Sequence, residues 1–333
     1  MLIRERLENQ EFKDLSPYAA FSIRSKGRQY PEEPCDIRTV YQRDRDRILH
    51  SKAFRRLKDK TQVFLSPRGD HYRTRLTHTL EVSQNARTIA KALRLNEELV
   101  EAIALGHDLG HTPFGHAGEK ALNEVCPLGF QHHEQSVRTV ELLEKKGVGL
   151  NLTWETRDGI LNHQMSAMPH TLEGKVVRLS DKIAYIHHDM DDAIRAGIIS
   201  EADIPEELKS LGSTCNERLG RFTRDLIMNS LEKDDVSMSP EIYEKMRQFR
   251  AFMYERVYTD KVAKAEEGKA EVLVARLYEY FLKNIDRIPE DYILLIYKGE
   301  PRERVVCDYI AAMTDRFATD LYTDLFIPKS WVV

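Results

Sequence analysis

Apolar residues return at helical intervals along most of this chain. Leu80, Val82, Ala86, Ile89, Ala90 and Leu93 recur three and four apart and predict a helix over 75–94. Asn96 followed by two glutamates predicts a capped start for a helix over 96–109, whose apolar run marks it as buried. Gly110 ends it, and 110–118 reads as a glycine-punctuated loop, with the next helix starting near Glu119. Val137, Val140, Leu142 and Leu143 supply the buried face of a helix from 130 to 146, and 154–163 is helical before Pro169 breaks the pattern. The clearest helix after the centre is 173–196, with Val176, Val177, Leu179, Ile183, Ala184 and Ile186 on its apolar side. Upstream, Val40, Ile48, Phe54 and Leu57 place one stripe on a single helix spanning 38–60. Residues 61–73 hold a short apolar run and a Pro67…Gly69-Asp70 turn, a small hairpin or a loop. Beyond Gly197, further helices are expected near 215–232, 240–258, 261–284 and 302–324.

The expectation is an all-α protein with at most a small β-hairpin. It divides into an N-terminal arm (1–37), a core (38–200) and a helical C-terminal region (201–333) packed on that core. The arm is a short helix and an irregular stretch, placed on a neighbouring subunit or left as a partly ordered tail. The length, 333 residues, is ample for one large hydrophobic core. Fifty Lys and Arg against 54 Asp and Glu leave a net charge of −4, which excludes a wholesale polycation but not a local basic face. Such a face lies on 38–60, read as solvated, with phosphate contact as the rival reading. The apolar run Ile293–Ile296 falls far short of the roughly 20 residues that span a bilayer. The N-terminus lacks the apolar core of a signal peptide, and Cys35, Cys126, Cys215 and Cys307 are isolated, so a cytoplasmic protein with reduced thiols and no membrane partner is expected.

Chemistry concentrates in residues 104–119. Three of the twelve histidines, His107, His111 and His116, fall within ten residues; Asp108 follows the first and Glu119 the last. Titratable groups packed so closely are costly to bury unless paired or metal-bound. An adjacent His–Asp pair offers an imidazole nitrogen and a carboxylate oxygen to one cation, a mix suited to Mg, Mn, Fe(II), Ni or Zn. Two residues cannot complete a coordination shell. His78, on one helix face with Arg75, and Asp181 supply the remainder. Asp181, Tyr185, Asp189 and Asp192 recur at i, i+4, i+8 and i+11 and form one polar stripe that would line a pocket. Glu119, one turn beyond His116, can orient that imidazole as a general acid.

The order His78, His107-Asp108, Asp181 resembles the metal set of the HD-domain phosphohydrolases. The string His107-Asp-Leu-Gly-His-Thr-Pro-Phe-Gly-His116, with Arg75-x-x-His78 before it and Asp181-Lys-x-x-Tyr185-x-x-x-Asp189 after it, is similar to the deoxyguanosine triphosphate triphosphohydrolases and their dNTP-hydrolysing relatives. The resemblance spans residues 38 to 320. It implies an HD helical core, a divalent metal on His78, His107, Asp108 and Asp181, and hydrolysis of dGTP or several dNTPs to deoxynucleoside and triphosphate. It implies His116 as the acid with Glu119 as its partner, and His111 beside the substrate. Gln62 would approach the nucleoside, Arg75 and Lys182 the phosphates, and His133, ahead of His132, the phosphates as well. Tyr185 and Asp189 would meet the sugar, with Asp189 accepting from the 3′-hydroxyl. Tyr309, in a C-terminal signature Asp308-Tyr-Ile-Ala-Ala-Met-Thr-Asp315-Arg-Phe, would approach the base or hold the pocket wall. His163 and His170 are candidate pocket residues, with surface positions as the preferred reading. A homo-oligomer, an activating nucleotide and single-stranded nucleic acid complete the implied partners. The rival readings are hydrolysis of a nucleoside monophosphate or guanosine tetraphosphate, and a nucleotide- or nucleic-acid-binding sensor.

Overall fold

The computed structural model describes residues 1–62, 73–258 and 261–329. Helix α1 (Ile3–Asp14) opens the chain, followed by α2 (Val40–Leu49), α3 (Lys52–Arg56), α4 (Arg75–Ala92), α5 (Glu97–Gly106), α6 (Gly115–Val125) and α7 (His132–Arg138). Then come α8 (Trp154–Leu161), α9 (Leu172–Arg195), α10 (Cys215–Ser230), α11 (Pro240–Met253) and α12 (Lys261–Lys283). The longer C-terminal helices are α13 (Glu290–Tyr297), α14 (Arg302–Ala311) and α15 (Asp315–Phe326). Among the described residues the only β-type pairings are isolated bridges, Arg28 with Thr153 and Thr61 with Thr74. The hairpin or loop expected over 61–73 falls mostly on residues 63–72, which lie outside the described ones.

Helix α5 organises the interior. Leu99, Val100, Ala102, Ile103, Ala104, Leu105 and Gly106 are all buried, and only Glu97, Glu98 and Glu101 form a half-buried charged face. One side packs into a cluster with Val82 and Ile89 of α4, Val177 and Ile183 of α9, Phe222 of α10 and Phe249 of α11. This cluster runs past residue 200, so helices of the C-terminal region share the core of the first. The other side of α5 packs Ala102 and Leu105 against Ile48, Leu57 and Ile160. A separate cluster joins Leu122 of α6 to Leu277 and Phe281 of α12, Ile310 of α14 and Ala318 of α15. The C-terminus of α5 thus delivers His107 and Asp108 to the centre of the molecule.

Several boundaries differ from the periodicity. The single helix expected over 38–60 is two, because Ser51 stops α2 and caps α3 by accepting the Phe54 N–H (3.1 Å). The Glu144 carboxylate takes the next free donors, Lys52 N–H and Ala53 N–H. Helix α6 starts at Gly115, so His116 and Glu119 share its first turns. The helix expected to 146 gives way at Thr139 to a wide π-type turn over Thr139–Leu143. The C-terminal pattern near 302–324 is interrupted where Thr314 caps α15 through the Phe317 N–H (3.2 Å). Helix α13 forms around the apolar run Ile293–Ile296.

The N-terminal arm makes contacts with the core. Glu11 accepts from Ser22 and from the Asn96 side chain, and Arg94 donates to the Asp14 and Lys13 carbonyls. Arg28 pairs with buried Asp44, and Arg47 with Glu32 at 2.7 Å. Arg45 meets Glu98 at 2.5 Å and Arg38 meets Asp46 at 2.7 Å. Arg43, Arg45 and Arg47, the cations of α2, are thus held in internal ion pairs. Among the described residues no helix is long and apolar enough to cross a membrane.

Ile103 is fully buried within the central cluster. Replacing it by Ala should cost about 2–5 kcal/mol, read as a lower urea midpoint for the variant; an unchanged midpoint would mean that α5 is not packed as described.

Candidate active site

Three helices meet at the floor of one cleft. Helix α4 brings Arg75 and His78, the end of α5 brings His107-Asp108, and α9 brings Asp181; all are buried. His107 Nδ1 lies 2.7 Å from the Ala104 carbonyl. That contact puts the ring proton on Nδ1 and leaves the Nε2 lone pair free. Nε2 is buried without a hydrogen-bond partner. It lies 3.5 Å from an Asp108 oxygen and 3.9 Å from an Asp181 oxygen. His78 Nε2 stands 3.2 Å from the same Asp181 oxygen. Ligand atoms of His78, His107 and Asp108 lie within 4.8 Å of one another. Two imidazoles, two carboxylates and an orphaned, oriented lone pair fit a divalent cation.

Electrostatics keep both carboxylates ready. Burial alone would raise the Asp108 pKa, but His107 and Arg75 outweigh it and hold the carboxyl well below the usual range. The Arg75 guanidinium donates to Asp108 at 2.7 Å. At Asp181, burial is likewise overcome, chiefly by Lys182 at 2.8 Å, so its carboxyl also stays well below normal.

A wall of histidines rises beside Asp108. His111 Nε2 lies 3.4 Å from Asp108 Oδ1, and its ring stacks on His132 with centroids 3.9 Å apart. Burial, then the charge of Arg75, push the His111 pKa well below its usual value, so this ring is neutral. Glu119 joins His132 and His116. Its carboxylate accepts the His132 backbone N–H (2.8 Å), meets His132 Nδ1 at 2.9 Å and His116 Nδ1 at 3.4 Å. These contacts overcome burial and hold the Glu119 carboxyl well below the carboxylate range. The His116 side chain is 68% exposed, at the mouth of the cleft. Asp108, His111 and His132 form a second group whose ligand atoms lie within 4.8 Å.

The cleft has a volume of about 340 Å³ and is also lined by Gln62, Lys182, Tyr185 and Arg250. The Gln62 side-chain oxygen is buried without a partner. Tyr185 stacks on Tyr258 with centroids 5.5 Å apart, and the Tyr258 hydroxyl donates to Asp189. Asp189 stands one layer behind the cleft, its pKa raised well above normal by burial.

Two glycines let these pieces approach. A Cβ on Gly110 would fall 2.2 Å from the Ser136 nitrogen, so the HD loop could not lie against α7. Gly115 has φ +55, and its missing Cβ leaves room for Arg75 Nη2.

Four expectations need correction. His132 lines the cleft and His133 does not. Neighbouring helical residues point about 100° apart, and Glu119 captures His132, so α7 can present only that ring. Tyr309 packs on Phe281 and Tyr292, at centroid distances of 5.1 and 5.4 Å, away from the cleft. His163 is not a surface residue: it is buried beside His107, ring centroids 5.0 Å apart, because the turn after α8 folds back over the site. His170 is exposed as expected and contacts Asp158 at 2.7 Å. Asp189 is covered by Tyr258 because the end of the α11 region folds over α9. Arg250 and Tyr258 were missed, since nothing local links them to residues some 65 positions earlier. Their only sequence signal is a shared helical spacing of eight.

Proton binding makes stability depend on pH in one direction. Burial and His107 push the His163 pKa down to about 3, whereas an unfolded imidazole takes its proton near about 6.5. Between these values the unfolded chain binds the extra proton, so acid favours unfolding. The depressed carboxyls of Asp108 and Glu119 act in the same sense below about pH 4. The metal-free protein should lose stability from about pH 6.5 downward, by up to about 1.4 kcal/mol per pH unit from His163. Urea midpoints measured at pH 7, 6 and 5 should decline less steeply in a His163→Gln variant; parallel slopes would contradict the assignment.

Residues 75–186 match the HD domain model, and residues 236–324 match the phosphohydrolase-associated domain. A deoxyguanosinetriphosphate triphosphohydrolase-like protein from Caldanaerobacter subterraneus subsp. tengcongensis is 59% identical over 99% of this chain and 98% of its own length. A protein of the same description from Clostridium perfringens is 50% identical over 99% of both. Among solved structures, a phosphohydrolase from Bacteroides thetaiotaomicron aligns with a TM-score of 0.53 at 20% identity, over 84% of this chain and 68% of that one. A hypothetical protein from Aquifex aeolicus aligns at 0.50 and 23%, over 86% and 68%. At such identities the two structures speak for the fold alone. Near-complete matches at 50–59% identity, with an HD domain over the helices that build the floor, carry the relationship: the chain belongs to the deoxyguanosinetriphosphate triphosphohydrolase-like family of HD-domain phosphohydrolases.

Proposed function

We propose that this protein hydrolyses deoxynucleoside triphosphates at the α-phosphorus, releasing deoxynucleoside and inorganic triphosphate. The observation that carries the reading is the pairing of two histidine sets across Asp108. His78 and His107 stand on one side with a free, oriented lone pair; His111, His132 and the His116–Glu119 pair stand on the other. Arg75, Lys182 and Arg250 line the same cleft, which suits a polyanion, and Tyr185 supplies an aromatic face for a sugar or base. The family name borne by the relatives favours dGTP or a wider set of dNTPs.

A divalent cation on His78, His107, Asp108 and Asp181 would supply charge neutralisation and Lewis acidity when bound. Arg75 and Lys182 spread the charge of the α-phosphate as it is attacked. His111 and His132 donate to the phosphate chain, with His132 taking the role first expected of His133. Water forms the new bond to phosphorus and sheds its proton to solvent, the bond to the 5′-oxygen breaks, and His116 gives that oxygen its proton. Glu119 holds the imidazole for this step and stays charged throughout. Gln62 and Tyr185 contact the nucleoside, and Asp189 acts behind them through Tyr258. The proposal extends to a cytoplasmic homo-oligomer with an activating nucleotide. The cations of α2 that would suit single-stranded nucleic acid are held in internal ion pairs.

Protein loaded with Mn should be incubated with each dNTP, and with dGTP plus a second dNTP, and the products separated by anion exchange. Deoxynucleoside and triphosphate are expected; phosphate or pyrophosphate would place the cleavage elsewhere and sink the proposal. Chelation should abolish turnover. Replacing His116 by Ala should lower kcat about 10²–10⁴-fold while metal content stays the same. Full activity of that variant would remove His116 from the acid role.

A further inference from the structure

The C-terminal run from Asp308 to Phe317 takes no part in the cleft, yet it grips the loop and helices that build the histidine wall. Asp315, buried at the start of α15, spans two chain segments. Its Oδ1 accepts the Phe114 backbone N–H at 2.9 Å, and its Oδ2 accepts the Thr61 N–H at 2.9 Å and the Thr61 hydroxyl. Four residues upstream, the Ala311 carbonyl accepts from buried Lys60 Nζ at 2.7 Å, which also donates to the His111 carbonyl. Asp308 accepts from Gln135 (2.9 Å) and from Arg138 Nη2 (2.7 Å) on α7, the helix that carries His132.

The held loop is strained. Phe114 has φ +63 and ψ 23, and Gly115 after it has φ +55. A bulky residue in the left-handed region persists only where its surroundings impose it. Phe114 is also the N-cap of α6, and its own side chain makes no capping bond. The Asp315 carboxylate takes the cap's N–H, the task that a glutamate three residues on performs in a capping box. Here the carboxylate comes from 201 residues downstream. The direction in which α6 leaves this turn decides where His116 and Glu119 stand.

We propose that Asp315 is a positioning residue for the reaction: by holding the left-handed Phe114–Gly115 turn, it sets the reach of His116 into the cleft. The inference rests on the proposed function only in taking α6 to carry reacting groups. Asp315 touches neither the cleft nor the metal ligands, so its loss acts on the chemical step and not on metal binding.

The test uses the full chain with Asp315→Ala and the isosteric Asp315→Asn. Misplacing a reacting group by an ångström costs about 10²-fold in rate, so the Ala variant should lose about that much kcat, with KM within about threefold and metal content unchanged. Asn keeps one acceptor oxygen and should recover about tenfold of the loss. Amide hydrogen exchange is read alongside. Residues 112–118 should exchange faster in the Ala variant, while the α4 amides around His78 stay as protected as before. Equal kcat in all three proteins, or unchanged exchange over 112–118, would overturn the proposal. A loss carried by KM or by metal content would overturn it as well. If the wild-type protein does not hydrolyse dNTPs, the proposed function falls, and the exchange measurement still decides whether Asp315 holds the turn. Should the Ala variant not fold, the Asn variant alone decides, by its kcat and its exchange over the same residues.

Discussion

The buried Arg75–Asp108 ion pair is the interaction on which the site depends. Asp108 sits at the buried end of a largely apolar helix, and Asp181 stands close by. Two carboxylates placed there without compensation would take up protons or expand the core. The 2.7 Å contact with Arg75 keeps Asp108 charged before any cation arrives, and Lys182 does the same for Asp181. Removing one partner of such a pair typically costs about 3–5 kcal/mol, because the other is left charged and buried. The arginine is therefore both a structural counter-charge and part of the lining of the cleft.

Around that pair the protein sorts its histidines by the hydrogen bond each one makes. The Ala104 carbonyl turns the His107 lone pair toward the carboxylates. The Ile160 carbonyl orients buried His163 in the same way, at 2.8 Å. Glu119 gathers His132 and His116, and Arg75 with burial keeps His111 neutral. Rings of one residue type thus present a free lone pair, a neutral ring and an exposed imidazole within one cleft. The C-terminal helices hold this arrangement from outside, through Asp308 on α7, Ala311 on Lys60 and Asp315 on the Phe114 turn.

The elements most legible in the sequence were those with a strong local cause. The floor residues sit on helices whose apolar faces repeat over three or more turns, so α4, α5 and α9 could be placed from periodicity, and His78, His107, Asp108 and Asp181 with them. Boundaries set by a single side chain were less visible. Ser51 ends one helix and starts another within a pattern that reads as continuous, and Thr314 does the same near the C-terminus. Both hydroxyls compete locally with the backbone, and the hydrophobic period does not register that.

By itself the sequence determined the helical class and the order of the motifs, and it singled out the residues that the floor of the cleft brings together, because spacing along a helix fixes which side chains share a face. Only the tertiary structure decided between His132 and His133, because the choice was made by Glu119 on another helix. It placed His163 beside His107 and moved Tyr309 into an aromatic cluster with Phe281 and Tyr292. It brought Arg250 to the cleft and Tyr258 over Asp189. The role of Asp315 was equally invisible, since its partners Thr61 and Phe114 are 254 and 201 residues away. The physical reason is common to all of these. Periodicity reports how a residue sits on its own helix, whereas a side chain's chemistry depends on the charges and donors that packing brings against it from distant parts of the chain.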